Sequence, residues 1–234
     1  MADAPPVLWR PSAERVERAT MTRFMRAQGH GDYDSLWRWS VEDVEGFWAA
    51  IWDFFGLGGS APYERVLGSR EMPGAEWFLG AELSYAEHIF RGKDDADVAI
   101  RHSSELRDLN AVSWGELREQ AGRIASGLRA LGVGPGDRVA AYMPNIPETI
   151  AAFLACASIG AVWSSAAPEF GARSVVDRFQ QIEPKVLLAI DGYRYGGKDF
   201  DRSEAVAGIG REIGARVVRF GYLDGSGWED GFLG

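Results

Sequence analysis

The chain has 234 residues, of which 46% are hydrophobic and 12% aromatic, and its formal net charge is −9. That length and apolar content support one large domain or one and a half ordinary ones, and exclude wholesale disorder. No cluster of Lys and Arg offsets the acidic balance, which excludes a nucleic-acid-binding face; an anionic ligand would have to be held by local donors.

The chain begins Met-Ala-Asp-Ala-Pro-Pro, without the charged start and apolar core of a signal peptide. Residues 1–90 carry six of the nine tryptophans and read as a helical N-terminal extension. A first helix is expected from Ser12 towards Gln28, stopped by Gly29. Ser40 with Asp43 reads as the start of a second, and Val44, Phe47, Trp48, Ile51, Trp52 and Phe55 follow helical spacing up to Gly56. Ser84 and Glu87 mark a shorter helix through Phe90. This much tryptophan on helices reads as core or docking surface rather than as a ligand cage.

Residues 91–234 alternate helices with short apolar strands. Residues 98–102 and 110–112 suggest a strand pair around a polar turn. Ser113 with Glu116 forms a capping box, and the stripe Leu117, Ala121, Ile124, Leu128 and Leu131 runs to Gly132. Gly134-Pro-Gly-Asp137 turns the chain into a strand at 138–143. Pro147 suits a first helical turn, with Ile150, Phe153, Leu154 and Ala157 as its buried face. The one cysteine, Cys156, falls in this helix and reads as a small buried residue, with no disulfide or Cys-based zinc site possible. The apolar stretch at 150–163 is broken by Ser158 and Gly160 and is too short to span a bilayer. These features predict a soluble, cytoplasmic protein with no membrane partner.

A strand at 161–164, a loop at 165–171, a helix through Val175, Val176, Phe179 and Ile182, and a strand ending at Ile190 come next. Ala205, Val206, Ile209 and Ile213 mark a further helix, and 216–220 a further strand. The expected fold is α/β, a parallel sheet flanked by helices and preceded by the Trp-rich helical extension. The glycine-rich end, 224–234, is neither a docking helix nor a closing strand, so 91–234 reads as an incomplete α/β subdomain.

Two loops at the carboxyl ends of strands are the binding candidates. Gly192-Tyr-Arg-Tyr-Gly-Gly-Lys198 satisfies the G-x-x-x-x-G-K part of a phosphate-binding P-loop, between an apolar strand and a helix. However, Asp199 stands where Ser or Thr would ligate magnesium, and Tyr193, Arg194 and Tyr195 are bulky for a phosphate nest. An ordinary turn is the third reading. The other loop is Ser164-Ser-Ala-Ala-Pro-Glu-Phe-Gly171; if its strand neighbours the one ending at Ile190, both loops share one rim. No serine nucleophile elbow, no metal-ligand spacing and no catalytic set is present, so the catalytic and metal assignments are none.

Several strings together resemble the AMP-forming adenylating superfamily, and within it the short-chain acyl-CoA synthetases of the acetoacetate–CoA ligase type. These are Trp77-Phe-Leu-Gly-Ala-Glu-Leu-Ser-Tyr-Ala-Glu-His88, Val112-Ser-Trp-Gly-Glu-Leu117, Gly132-Val-Gly-Pro-Gly-Asp-Arg-Val-Ala140, Met143-Pro-Asn-Ile-Pro-Glu-Thr149 and Ala157-Ser-Ile-Gly-Ala-Val-Trp-Ser-Ser165. Asp177-Arg-Phe-Gln-Gln-Ile-Glu-Pro-Lys185 followed by Asp191-Gly-Tyr-Arg-Tyr-Gly-Gly-Lys198 is the most specific. Leu79, Ser84, Ala166 and Ala167 depart from the pattern, which expects Pro, Asn, Cys and Ser.

The resemblance implies a two-step ligase using ATP, Mg2+ and CoA: a carboxylate, here acetoacetate, and ATP give an acyl-adenylate and pyrophosphate, and the CoA thiol displaces AMP. It implies that Lys198, Gly196, Gly197 and Arg194, with Glu169, Phe170 and Gly171, line the CoA groove. Tyr195 replaces an arginine usual in the acetyl-type enzymes. The phosphate loop, hinge and C-terminal lysine of the family are not spelled in these 234 residues. The expected protein is therefore an N-terminal portion, itself inactive and with no cofactor assigned to it alone, whose partner is the missing C-terminal part. An acetyl- or propionyl-type ligase, a P-loop-like nucleotide-binding protein and a non-catalytic CoA-binding or docking module stay open.

Overall fold

The computed structural model describes residues 6–233. They divide into two compact units, one up to Leu83 and one from Ser84.

The first unit is built on four helices. In α1 (Ala13–Arg18) the Ser12 side chain accepts the Arg15 amide, and α2 (Thr20–Ala27) ends before Gly29 at φ +77°. The single expected helix is thus broken at Ala19, whose backbone is extended. The reason is packing: α1 buries no residue, whereas α2 turns Thr22 and Phe24 inward. A helix without a buried face has nothing to hold it in line with its neighbour.

The start expected at Ser40 also shifts. Asp32 caps α3 (Tyr33–Glu42) through the Ser35 amide at 2.8 Å, and Asp43 caps α4 (Val44–Phe54) through Gly46 at 3.0 Å. Ser40 lies inside α3 and bonds back to the Trp37 carbonyl. β1 (Arg65–Leu67) and β2 (Trp77–Leu79) form an antiparallel ribbon. The aromatics pack on one another: Phe24 meets Trp39, Phe47 and Phe54, while Trp52 stacks on Phe78 at 4.6 Å.

The second unit opens with α5 (Tyr85–Phe90), capped by Ser84, and the antiparallel pair β3 (Val98–His102) and β4 (Asn110–Ser113). The capping box expected at Ser113 and Glu116 forms in full at the head of α6 (Trp114–Ala130). The remaining elements are β5 (Arg138–Tyr142), α7 (Pro147–Ser158), β6 (Val162–Ala166), α8 (Ala172–Phe179), β7 (Val186–Ile190), β8 (Gly192–Tyr195), β9 (Lys198–Asp201), α9 (Ser203–Ile213), β10 (Arg216–Gly221) and β11 (Gly227–Trp228).

Among the described residues these give a five-stranded sheet in the order β11-β10-β7-β5-β6, parallel except for β11. β7 is central, and all five of its residues are fully buried, as its unbroken apolar run requires of a strand covered on both faces. Val186, Leu188 and Ile190 face one core with α6 and α7; Leu187 and Ala189 face the other with α8 and α9.

That arrangement fixes where a ligand can sit. The connection leaving β5 passes through α7 on one face, and the connection leaving β7 passes through α9 on the other. The loops after these neighbouring strands therefore part, opening a crevice at their carboxyl ends.

Candidate functional site

A cleft of about 450 Å³ occupies that crevice. Pro144, Asn145 and Ile146 follow β5; Pro168 and Glu169 follow β6; Tyr193, Arg194 and Tyr195 belong to β8; Tyr222 follows β10. Its volume falls within the range of small-ligand pockets. β5 lies between β6 and β7, so the two candidate loops do not follow neighbouring strands; parallel strands nonetheless bring both to one rim.

The loop after β6 is held by two long-range contacts. The hydroxyl of the buried Tyr142 lies 2.6 Å from the Pro168 carbonyl oxygen and 2.7 Å from that of Phe170, within donating reach of both. Burial raises the Tyr142 pKa, which keeps it a proton donor. Arg202 donates from Nε to the Pro168 carbonyl at 2.9 Å and from its guanidinium to the Tyr193 hydroxyl at 3.0 Å. The same guanidinium sits 5.2 Å from the Tyr193 ring centroid. Arg202 thus ties this loop to the next.

The glycine-framed segment is a β-hairpin, not a phosphate-binding P-loop. β8 and β9 pair antiparallel, with Tyr195 opposite Lys198. Gly196 and Gly197 make the two-residue turn at φ +59° and +71°, the positive values that a tight hairpin demands. Lys198 begins a strand, and α9 starts only at Ser203, so no helix N-terminus follows the lysine. Gly192 serves packing: a Cβ there would meet the Phe200 carbonyl oxygen at 2.6 Å.

Glu169 and Arg194 both line the cleft. The Arg194 guanidinium is engaged with Asp199 across the hairpin, at 2.6 and 3.0 Å, and this hydrogen-bonded pair holds the Asp199 carboxyl below its usual range. Lys198 is exposed at the hairpin tip and forms no ion pair among the described residues. The amides of Gly196 and Gly197 donate to the Glu105 carboxylate. Phe170 and Gly171 lie beyond the cleft wall; the Arg178 guanidinium covers the Phe170 ring at 5.1 Å, and Gly171 stands at the N-cap of α8.

Sequence reasoning missed Tyr142, Arg202 and Asp191. The Asp191 carboxylate accepts the amides of Tyr222, Leu223 and Asp224 at 2.7, 2.8 and 2.9 Å, fixing the wall that Tyr222 provides. Tyr222 in turn donates to the Ser104 hydroxyl at 2.7 Å. The cleft therefore offers aromatic side chains and hydroxyls; Gly196, Gly197 and Lys198 lie outside its lining, at the tip of the hairpin whose β8 strand walls it. Cys156 is no nucleophile: burial pushes its thiol up to about 12. Among the described residues no group of three or more His, Cys, Asp or Glu could hold a metal ion, and no helix is long and apolar enough to cross a membrane.

The family sequence model described as "AMP-binding enzyme" matches residues 90–222, and that described as "Acetyl-coenzyme A synthetase N-terminus" matches residues 33–89. The chain is 39% identical over 225 residues to the acetoacetyl-coenzyme A synthetase of Rhizobium meliloti (strain 1021), covering 94% of this chain and 34% of that protein. It is 39% identical over 230 residues to the acetoacetyl-CoA synthetase of Rattus norvegicus, covering 93% and 34%. Among solved structures, the acetoacetyl-CoA synthetase from Streptomyces lividans superposes with a TM-score of 0.89 at 48% identity, over 97% of this chain and 37% of that one. The chain spans about a third of the length of the curated relatives it matches.

Proposed function

Because the chain belongs to the AMP-binding enzyme family, we propose that it is the N-terminal part of an AMP-forming acid–thiol ligase acting on acetoacetate in the cytoplasm, and that its rim cleft and hairpin hold the nucleotide end of CoA. In the whole enzyme, acetoacetate and ATP with Mg2+ form acetoacetyl-adenylate and pyrophosphate. The CoA thiol then displaces AMP to give acetoacetyl-CoA. Residues 1–90 are the helical extension and 91–234 part of the adenylating domain. The acid is inferred from the names of the matched relatives.

The observation that supports the CoA side is the placement of the cleft at the crevice between β5 and β7, with Lys198 paired opposite the lining residue Tyr195 and in no ion pair among the described residues. Tyr193 and Tyr195 supply aromatic side chains, Glu169 and the hydroxyls of Ser103 and Ser104 supply hydrogen-bonding groups, and Lys198 supplies positive charge for a phosphate. Gly196, Gly197, Arg194, Phe170 and Gly171 complete the proposed CoA-facing set. With Arg194 engaged by Asp199, the phosphate contact falls to Lys198. Adenylation belongs to residues outside these 234, since the only lysine that resembled a phosphate-loop lysine begins a β-strand.

Two measurements on the purified chain test this division. Equilibrium dialysis is expected to show CoA binding, and acetoacetate-dependent ATP–pyrophosphate exchange is expected to be at background. Exchange above background, or no CoA binding, contradicts the reading.

A further inference from the structure

Glu105 lies in the connection between β3 and β4, flanked by Ser104, which lines the cleft. Its two carboxylate oxygens are each held by a different backbone amide: Gly196 N–H donates to Oε1 at 2.7 Å and Gly197 N–H to Oε2 at 2.7 Å. The two residues are 91 and 92 positions away in sequence, so the contact is a tertiary choice and not a local cap. Two consecutive amides turned to the same side by positive φ form a concave donor pair for an oxyanion.

A carboxylate and a phosphate present that pair with the same motif, two oxygens on one central atom. Beside it, Lys198 stands without an ion pair among the described residues, although Glu105 is on the neighbouring amides. A donor pair with an adjacent cation is thus built for an anion and filled by one the chain itself supplies.

We propose that Glu105 is a built-in competitor for the Gly196–Gly197 amides, displaced when a phosphate-bearing ligand takes them. Binding then exchanges one charge-assisted pair of hydrogen bonds for another, so the ligand gains less than it would at a vacant turn. Release of Glu105 also frees the β3–β4 connection from the hairpin, coupling ligand occupancy to that loop. Identification of the ligand as CoA rests on the reading above; the competition itself does not.

The alternative role for Glu105 is a brace that keeps the hairpin in place, and the two roles differ in sign. The test follows the Gly196 and Gly197 amide resonances by 1H–15N spectroscopy while the chain is titrated with inorganic phosphate and, separately, with CoA. Wild type, Glu105→Ala and Glu105→Gln are compared. The expected result is that both ligands move both resonances, and that Glu105→Ala binds each on the order of tenfold more tightly, the worth of about one charge-assisted hydrogen bond. Glu105→Gln, which keeps a neutral acceptor and safeguards the hairpin, is expected to fall between.

Equal or weaker binding in both variants overturns the proposal and leaves the CoA reading standing. A phosphate response that strengthens in the variants, with CoA binding no better than phosphate, supports the competition and contradicts the CoA reading. Amide resonances that respond to neither ligand in any variant overturn the proposal.

Discussion

Leu188→Ala is expected to destabilise the second unit by about 2–5 kcal/mol, read as a lower urea midpoint at unchanged slope. Leu188 is 0% exposed on the central strand β7, paired in parallel with β5 on one side and β10 on the other. Its side chain packs in the core shared with α6 and α7, so truncation leaves a void that rigid neighbours cannot close. Val162→Ala is the matched control, because Val162 is 49% exposed on β6 at the sheet edge. It should cost less than about 1 kcal/mol. Comparable losses in the two variants would contradict the assignment of β7 as the doubly covered centre.

Asp191→Ala is the second large effect, expected to cost about 3 kcal/mol through the loss of charge-assisted hydrogen bonds to partly buried amides. Asp191 follows β7 directly, and its carboxylate gathers the Tyr222, Leu223 and Asp224 amides after β10. Two of these amides share Oδ1 and one uses Oδ2. Asp191→Asn keeps one oxygen acceptor, so it should retain the Tyr222 and Leu223 bonds and lose about half of what alanine loses. Hydrogen exchange at these amides reports the same order: fast for Leu223 in the alanine variant, slower in the asparagine variant. Equal loss in both, or unchanged exchange, would show that the carboxylate does not hold this turn. Because Tyr222 forms one wall of the cleft, the alanine variant is also expected to weaken CoA binding.

Much of the fold was legible because its signals are local. The Ser113–Glu116 capping box, Pro147 at the first turn of α7 and Gly132 after α6 each act within a few residues, and each stands where the sequence placed it. The apolar run of β7 announced a strand covered on both sides. One local signal was misread and another was left open. Asp32 with Ser35 caps a helix that the pairing of Ser40 with Asp43 obscured. Gly196-Gly197 is a two-residue hairpin turn, which the sequence offered as an ordinary turn beside the phosphate-loop reading that Asp199 already weakened.

The site was less legible because its geometry depends on distant pairs. Tyr142 reaches the Pro168 carbonyl 26 residues on, Arg202 reaches the same carbonyl from 34 residues away, and Glu105 reaches Gly196 across 91. Nothing in the immediate sequence of these residues sets them apart from an ordinary core tyrosine or a solvated charge. The engagement of Arg194 by Asp199 had a nearer clue, since the two are five apart around a glycine turn. Once the hairpin is seen, opposite charges facing across it are the expected pair.

The central claim is that the hairpin rim receives the phosphate-bearing end of CoA through Lys198. Calorimetry with CoA and 3′-dephospho-CoA, each titrated into wild type and Lys198→Ala, tests it most directly. The account predicts that wild type binds CoA on the order of tenfold more tightly than the dephosphorylated form, as one charge-assisted contact provides, and that Lys198→Ala removes the difference. Indistinguishable affinities in all four combinations would contradict it.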